Sequence, residues 1–308
     1  MLGYIIRRVL WIIPVLIVVS MMTFGLMHAA PGGPWAREKK LPTSTVTLLN
    51  AKFGLDQPWP IQYLTWVGKM VTGDLGPSYK YINRSVNQIV AQGIGTTAHL
   101  GIMAFLLAVL VGIPLGVIAA LRHNGWADYV ATFISIIGIA TPSFVAAILL
   151  LVFFSVTLRW FPTHGWQGWA EPGTMVLPTV ALALFPIAQI ARFTRASMLE
   201  VTRKDYIRTA QSKGLKERTI VVIHMIRNAL IPVVTILGPL LAFLITGSFI
   251  IETIFSIPGI GRYYVTSITQ RDYGVIMAMT MLYAAAIAVL NLVVDVLYAY
   301  IDPRIRYS

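Results

Sequence analysis

From Arg192 to Arg227 the chain reads R-F-T-R-A-S-M-L-E-V-T-R-K-D-Y-I-R-T-A-Q-S-K-G-L-K-E-R-T-I-V-V-I-H-M-I-R. This polar stretch is wedged between two long apolar ones. It carries nine Lys and Arg residues against three acids, Glu200, Asp205 and Glu217. Asp205 can cap a helix by accepting hydrogen bonds from the free backbone N–H groups that follow it. Lys213 then falls in the last turn, and Gly214 supplies the left-handed residue that ends the helix. The helix so bounded has about two turns, too few to persist alone in water. It is therefore expected to dock onto something. A second helical pattern restarts after Glu217 and runs toward the apolar segment at Ala229.

Composition sets the context. The 308 residues are 57% hydrophobic and only 12% charged, whereas a soluble domain carries about 25% charged residues. This is the balance of an integral membrane protein. The chain has no cysteine, which excludes a disulfide framework, a thiolate metal site and a catalytic thiol. A net charge of +12 invites a nucleic-acid reading, but the charges sit between the apolar spans. They fit a positive-inside bias next to anionic lipid, with no nucleic acid involved.

A helix crossing the hydrocarbon core needs about 20 apolar residues. Six segments qualify: 9–30, 97–121, 129–158, 175–191, 229–251 and 275–294, none containing Asp, Glu, Lys or Arg. The fourth is short and is expected to run a turn further, toward Arg195. Sheets are excluded, because open edges cannot face lipid. With the N-terminus inside, the inner flanks hold Arg7, Arg8, Arg122, the basic residues of the central loop, Arg304 and Arg306; the short outer loops hold Arg159, Arg262 and Arg271. The bias puts both termini and the central loop in the cytoplasm. The apolar run after Arg7-Arg8 exceeds a signal-peptide core of about 7–15 residues, so an uncleaved anchor is expected. The reading is an all-α integral membrane bundle of six transmembrane helices. Residues 1–30 form an anchor helix, 31–96 an extracytoplasmic segment and 97–308 a five-helix core that includes the loop 192–228.

The central loop resembles a known element. D-Y-I-R-T-A-Q-S-K-G-L, from Asp205 to Leu215, followed by H-M-I-R-N-A-L-I-P, from His224 to Pro232, is similar to the cytoplasmic coupling loop of ATP-binding-cassette (ABC) importer permeases. The likeness is greatest to the oligopeptide and dipeptide subfamily. The broader importer motif begins Glu-Ala-Ala; here the positions read Arg208-Thr209-Ala210, so only the last alanine and Gly214 agree. Further blocks extend the resemblance to the B-type permease of oligopeptide importers: A-P-G-G-P from Ala30, G-D-L-G-P-S-Y from Gly73, I-P-G-I-G-R-Y from Ile257, Arg271-Asp272-Tyr273, and the tail with Asp295 and Asp302.

The resemblance implies a type I ABC importer permease bundle. It also implies a homologous second permease, two ATPase subunits and an extracytoplasmic substrate-binding protein. The coupling helix would lie in a groove on an ATPase. Tyr206, Ile207 and Ala210 are its apolar positions; Asp205, Arg208, Thr209, Lys213, Gly214, Leu215 and Glu217 complete the expected interface. Glu252, with Pro258 and Gly259 in a tight re-entrant-looking turn, belongs to an outer cap. Pro142 and Pro186 are candidate kinks lining a passage, although proline and small residues also serve plain bundle packing.

The missing chemistry points the same way. No G-x-x-x-x-G-K-S/T stretch exists to cradle phosphates, so ATP and magnesium belong to partner subunits and this chain is not itself catalytic. No carboxylate sits mid-span to relay protons. The five histidines are scattered without H-E-x-x-H, so neither a metal site nor a metal enzyme is expected. Open alternatives are a dipeptide, nickel or oligosaccharide permease of the same architecture, and a proton-coupled carrier acting alone. The A-P-G-G-P block at Ala30 and the K-L-P stretch at Lys40 tilt the choice toward oligopeptides.

Overall fold

The computed structural model describes residues 2–35, 41–81 and 83–301. Lys40, Asp302, Arg304 and Arg306, and the side chain of Asp295, lie outside the described residues. Among the described residues the structure is helical, with one isolated bridge between Pro77 and Ser85. Among the described residues, five helices are long and apolar enough to cross a membrane, and six if one bent pair counts as a span. The chain divides into two compact units, Met1–Thr96 with Gly259–Ala288 and Thr97–Pro258 with Val289–Ser308.

In the first unit, α1 (Leu2–Ala29) is apolar and exposed on nearly all sides, as suits a lipid-facing anchor. Two shorter helices follow, α2 (Thr43–Phe53) and α3 (Trp59–Val71). Each starts after a proline, whose fixed φ suits the first turn. The α2 helix ends on Gly54 at φ +68. The segment 31–96, to which no helices were assigned from the sequence, therefore has its own. The fourth helix, α4 (Val86–Leu121), begins 11 residues before the span expected at 97.

The second unit holds the broken span. A single helix was expected over 129–158. Instead α5 (Trp126–Ala140) and α6 (Ser143–Leu150, prolonged by a wide turn through Thr157) meet at 106°. Pro142 causes this. It pushes Thr141 out of the helical region to φ −85, ψ 118 and cannot donate a helical hydrogen bond itself.

The central helix is α7 (Gly173–Thr202), which runs two turns beyond Arg195, further than expected. It contains Pro178 and Pro186 without breaking. Both are buried, so the carbonyls they free are shielded among neighbours rather than facing lipid. Around α7 sits a core that includes Leu100, Ala104, Ala108, Ala147, Leu182, Ile190, Val233 and Leu244. Small residues set the spacing. A Cβ at Gly112 would stand 2.9 Å from Ile190, and one at Gly116 would stand 2.5 Å from the Ala191 carbonyl. Two glycines four apart thus let α4 lie against the α7 backbone.

After α7 come α8 (Asp205–Ser212) and a short turn, α9 (Glu217–Thr219), which widens over Ile220–Ile226 and continues as α10 (Arg227–Ile245). Then α11 (Phe249–Ile254) closes this part of the chain. The last two helices are α12 (Ile260–Gln270) and α13 (Tyr273–Ile301).

Candidate functional site

The eight residues of α8 are amphipathic, and the structure shows what each side does. Ile207 is 1% exposed and Ala210 6%. Both pack into a cluster of this chain's own residues, Ala120, Met198, Val201, Ile220, Met225 and Ala229. Ile207 and Ala210 had been placed in a partner's groove; that is corrected, because the three-residue spacing turns both toward the bundle. Burying Ile207 contributes about 1.5–3 kcal/mol. This contact holds a helix too short to stand alone.

The opposite face is open. Asp205, Tyr206, Arg208, Thr209, Lys213, Gly214, Leu215 and Glu217 are all exposed. Tyr206 and Leu215 show 42% and 41% of their surface. Asp205 does not cap the helix. Lys204 occupies the cap position and no side chain bonds to the free N–H groups. The Asp205 carboxylate instead lies 3.9 Å from Arg208, with both side chains in solvent, a pair of little energetic consequence. At the other end the expectation about Gly214 agrees with the geometry: its φ is +69. Gly214 N donates to Gln211 O (2.9 Å) and Leu215 N to Ala210 O (3.3 Å), the paired bonds that close a helix through a left-handed residue. Lys213 lies just past the last turn.

One turn above this cluster lies a group that the sequence did not disclose. Asp128, in the first turn of α5, is 3% exposed. Arg195 of α7 grips it in a fork, Nε to Oδ1 at 2.5 Å and Nη2 to Oδ2 at 2.8 Å. Asn124 N donates to Oδ2 at 3.0 Å, and His123 Nδ1 lies 3.1 Å from the same oxygen. The available signal was an acid at the start of a helix, where the dipole favours it, together with an arginine standing past the end of the next apolar run.

The outer-gate candidates separate. Glu252 is fully buried in α11 and accepts a hydrogen bond from Thr97 Oγ1 at 2.9 Å. The α11 helix packs on α6 and α7, so Glu252 shares one core with the helix that starts after Pro142 and the one that contains Pro186. Pro142 and Pro258 are exposed, and Pro186 is buried. The reversal expected at Pro258-Gly259 is made earlier. Ser256 takes the left-handed conformation at φ +53, and Ile257 N donates to Glu252 O at 2.8 Å. Gly259 is extended at φ −97 and begins α12.

In the first unit, three blocks of the resemblance meet around Arg271 and Asp272. Asp272 is fully buried. It accepts hydrogen bonds from Ser78 Oγ, from Tyr79 N (3.0 Å) and from Lys80 N (3.2 Å). Beside it Arg271 Nη1 donates to Pro31 O (2.8 Å) and to Gly32 O, and Tyr273 Oη donates to Met27 O (2.8 Å). Trp35 stacks on Tyr79 at 5.8 Å. Burial, then the Asp272 charge and Tyr273, push the Tyr79 phenol up to about 12.

Comparison with known proteins agrees with this architecture. A family model described as the binding-protein-dependent transport system inner membrane component matches residues 112–307. A second, for the N-terminal part of such membrane components, matches residues 1–87. The dipeptide transport system permease protein DppB of Bacillus subtilis (strain 168) is 45% identical over 303 residues, covering 98% of this chain and 97% of its own. The oligopeptide transport system permease protein OppB of Salmonella typhimurium is 45% identical over 307 residues, covering all of both chains. Among solved structures, an inward-facing methionine ABC transporter, MetNI, aligns with a TM-score of 0.58 over 70% of this chain and 97% of that one. Its 16% identity speaks for the fold alone. This chain belongs to the binding-protein-dependent transport system inner membrane components: it is a multi-pass permease subunit of a bacterial ABC importer.

Proposed function

We propose that this permease imports peptides, and that α8 is its contact with a separate ATPase. The observation that carries this reading is the side of α8 away from the bundle, where Tyr206 stays exposed although Ile207 and Ala210 are buried, with Leu215 exposed just past the end of the helix. A helix held to its own bundle by one side leaves the other, charged and partly apolar, available to a partner. Tyr206 and Leu215 would supply contact area, and Asp205, Arg208, Lys213 and Glu217 would set register. A homologous second permease would complete the pathway. Two ATPase subunits on the cytoplasmic side would hold ATP and magnesium, and an extracytoplasmic binding protein would deliver cargo. Both termini of this chain would face the cytoplasm. ATPase closure would draw the coupling helices together and turn the pathway outward; hydrolysis would reset it.

The names of the relatives support peptides over nickel or oligosaccharides, and they divide between dipeptides and oligopeptides. The test is purification of the intact complex, followed by reconstitution into vesicles. Expected are co-purified ATPases and ATP-dependent uptake of labelled peptide from the binding-protein side. Competition by unlabelled peptides of graded length then fixes the preferred size. Uphill uptake by this chain alone, driven by a proton gradient, would overturn the reading.

A further inference from the structure

We infer that Asp128 and Arg195 are a positioning pair that carries displacement of the α8 end of the bundle to the bend at Pro142. This rests on the proposed role of α8. The connection is continuous. Ile207 and Ala210 are packed against Met198 and Val201, in the last turns of α7. One turn earlier on α7 stands Arg195, with both of its bonds to Asp128 at 2.8 Å or less. Asp128 is itself tied to the chain ahead of α5 through Asn124 N. At its other end, α5 meets α6 at 106°.

Packing seats α5 on α7 along the whole of α5. Ala127, Asp128, Ala131, Ser135 and Gly138 are buried at helical spacing, and a Cβ at Gly138 would stand 2.8 Å from Ala188 Cβ. From Asp128 to Gly138 is about 15 Å along a helix. A cleft of about 350 Å³ flanks this contact, walled by Gly116 and Ala119 of α4, Ala131 and Ala140 of α5, and Ala191 and Arg195 of α7. The fork from Arg195 fixes the register of α5 on α7 at the end where α8 packs, so a displacement of α7 there is passed to α5 as a body and through it to the bend. Coupling over such a distance needs a connected element, and α5 is one.

The experiment uses the intact complex in vesicles with its binding protein. It reads the ratio of ATPase rate with peptide-loaded binding protein to the basal rate. Three variants are compared: Asp128→Asn, Arg195→Lys, and the exchange Asp128→Arg with Arg195→Asp. A pair that only stabilises the fold would lower the amount of complex and leave the ratio of the surviving complex unchanged. We expect the ratio to fall about tenfold in the first two variants at equal complex and equal basal rate, and to recover by at least threefold in the exchange. Arg195→Lys keeps the charge and loses the fork, so it reads the pair even where Asp128→Asn assembles poorly. An unchanged ratio in Arg195→Lys overturns the inference. If the wild-type complex shows no stimulation at all, the proposed role of α8 fails instead, and the two failures are distinct.

Discussion

Replacing Ile207 with alanine should release α8 without disturbing the rest of the bundle. Ile207 is 1% exposed and supplies most of the apolar contact between α8 and its bed. Truncation of a buried isoleucine to alanine costs about 2–5 kcal/mol. The lower end applies here, because a surface element can settle partly into the gap. At about 1.4 kcal/mol for each factor of ten, a loss of about 2 kcal/mol lowers the ratio of docked to undocked α8 roughly 30-fold. The remaining bonds of α8 are local and cannot hold eight residues in a helix alone. Amide hydrogen exchange of residues 205–215, measured in nanodiscs, reads the undocked population directly. The expected result is about 30-fold faster exchange there, with α7 and α10 unchanged. Tyr206→Ala is the counterpart. Its side chain is 42% exposed, so exchange should move by no more than about twofold, within the 0.5 kcal/mol usual for surface sites. Its effect should appear instead as weaker retention of the ATPase subunits. Unchanged exchange in Ile207→Ala, or acceleration in Tyr206→Ala equal to it, would refute the assignment of the two faces.

Asp272→Ala should loosen the first unit around residues 73–81. It strands donors from Ser78, Tyr79 and Lys80, at about 1–3 kcal/mol for each bond left unmade, and limited proteolysis should then cut within 73–81 in the folded protein. Gly116→Val should separate α4 from α7, since a Cβ there would meet the Ala191 carbonyl at 2.5 Å; a loss of about 1–3 kcal/mol should lower the melting temperature in detergent, whereas Gly68→Ala, with nothing within 4 Å, should not. Asp205→Arg should leave melting unchanged, because that side chain is 97% exposed and caps nothing, yet reduce ATPase stimulation by loaded binding protein. A cysteine placed at the exposed Ser212 should react in intact cells only with reagents that cross the membrane; labelling by an impermeant reagent would reverse the proposed orientation.

What could be read from the sequence was local or periodic. Apolar run lengths located the long helices, Gly214 announced the end of α8, and Pro142 was visible as a kink, although not as the sharp bend it makes within 129–158. Each of those signals lies within a few residues of its consequence. The sidedness of α8 was less accessible, because an amphipathic helix shows which residues are apolar and not whether its own chain or another covers them. Ile207 and Ala210 were therefore assigned to a partner, and only Tyr206 and Leu215 remain for one. The reversal at Ser256 escaped because a serine at positive φ carries no glycine to advertise it. The buried carboxylates were the least legible. Asp128 finds Arg195 across 67 residues, Glu252 finds Thr97 across 155, and Asp272 finds Ser78 across 194. Each stands at the edge of an apolar run, where an acid is ordinarily solvated. Only the folded chain shows that these three acids are held in fixed bonds. A carboxylate that moves protons must give up its partner in every cycle. Asp128, with a fork from Arg195 and a backbone N–H, is built to keep its own, which is why it serves better as a joint in the bundle than as a carrier of charge.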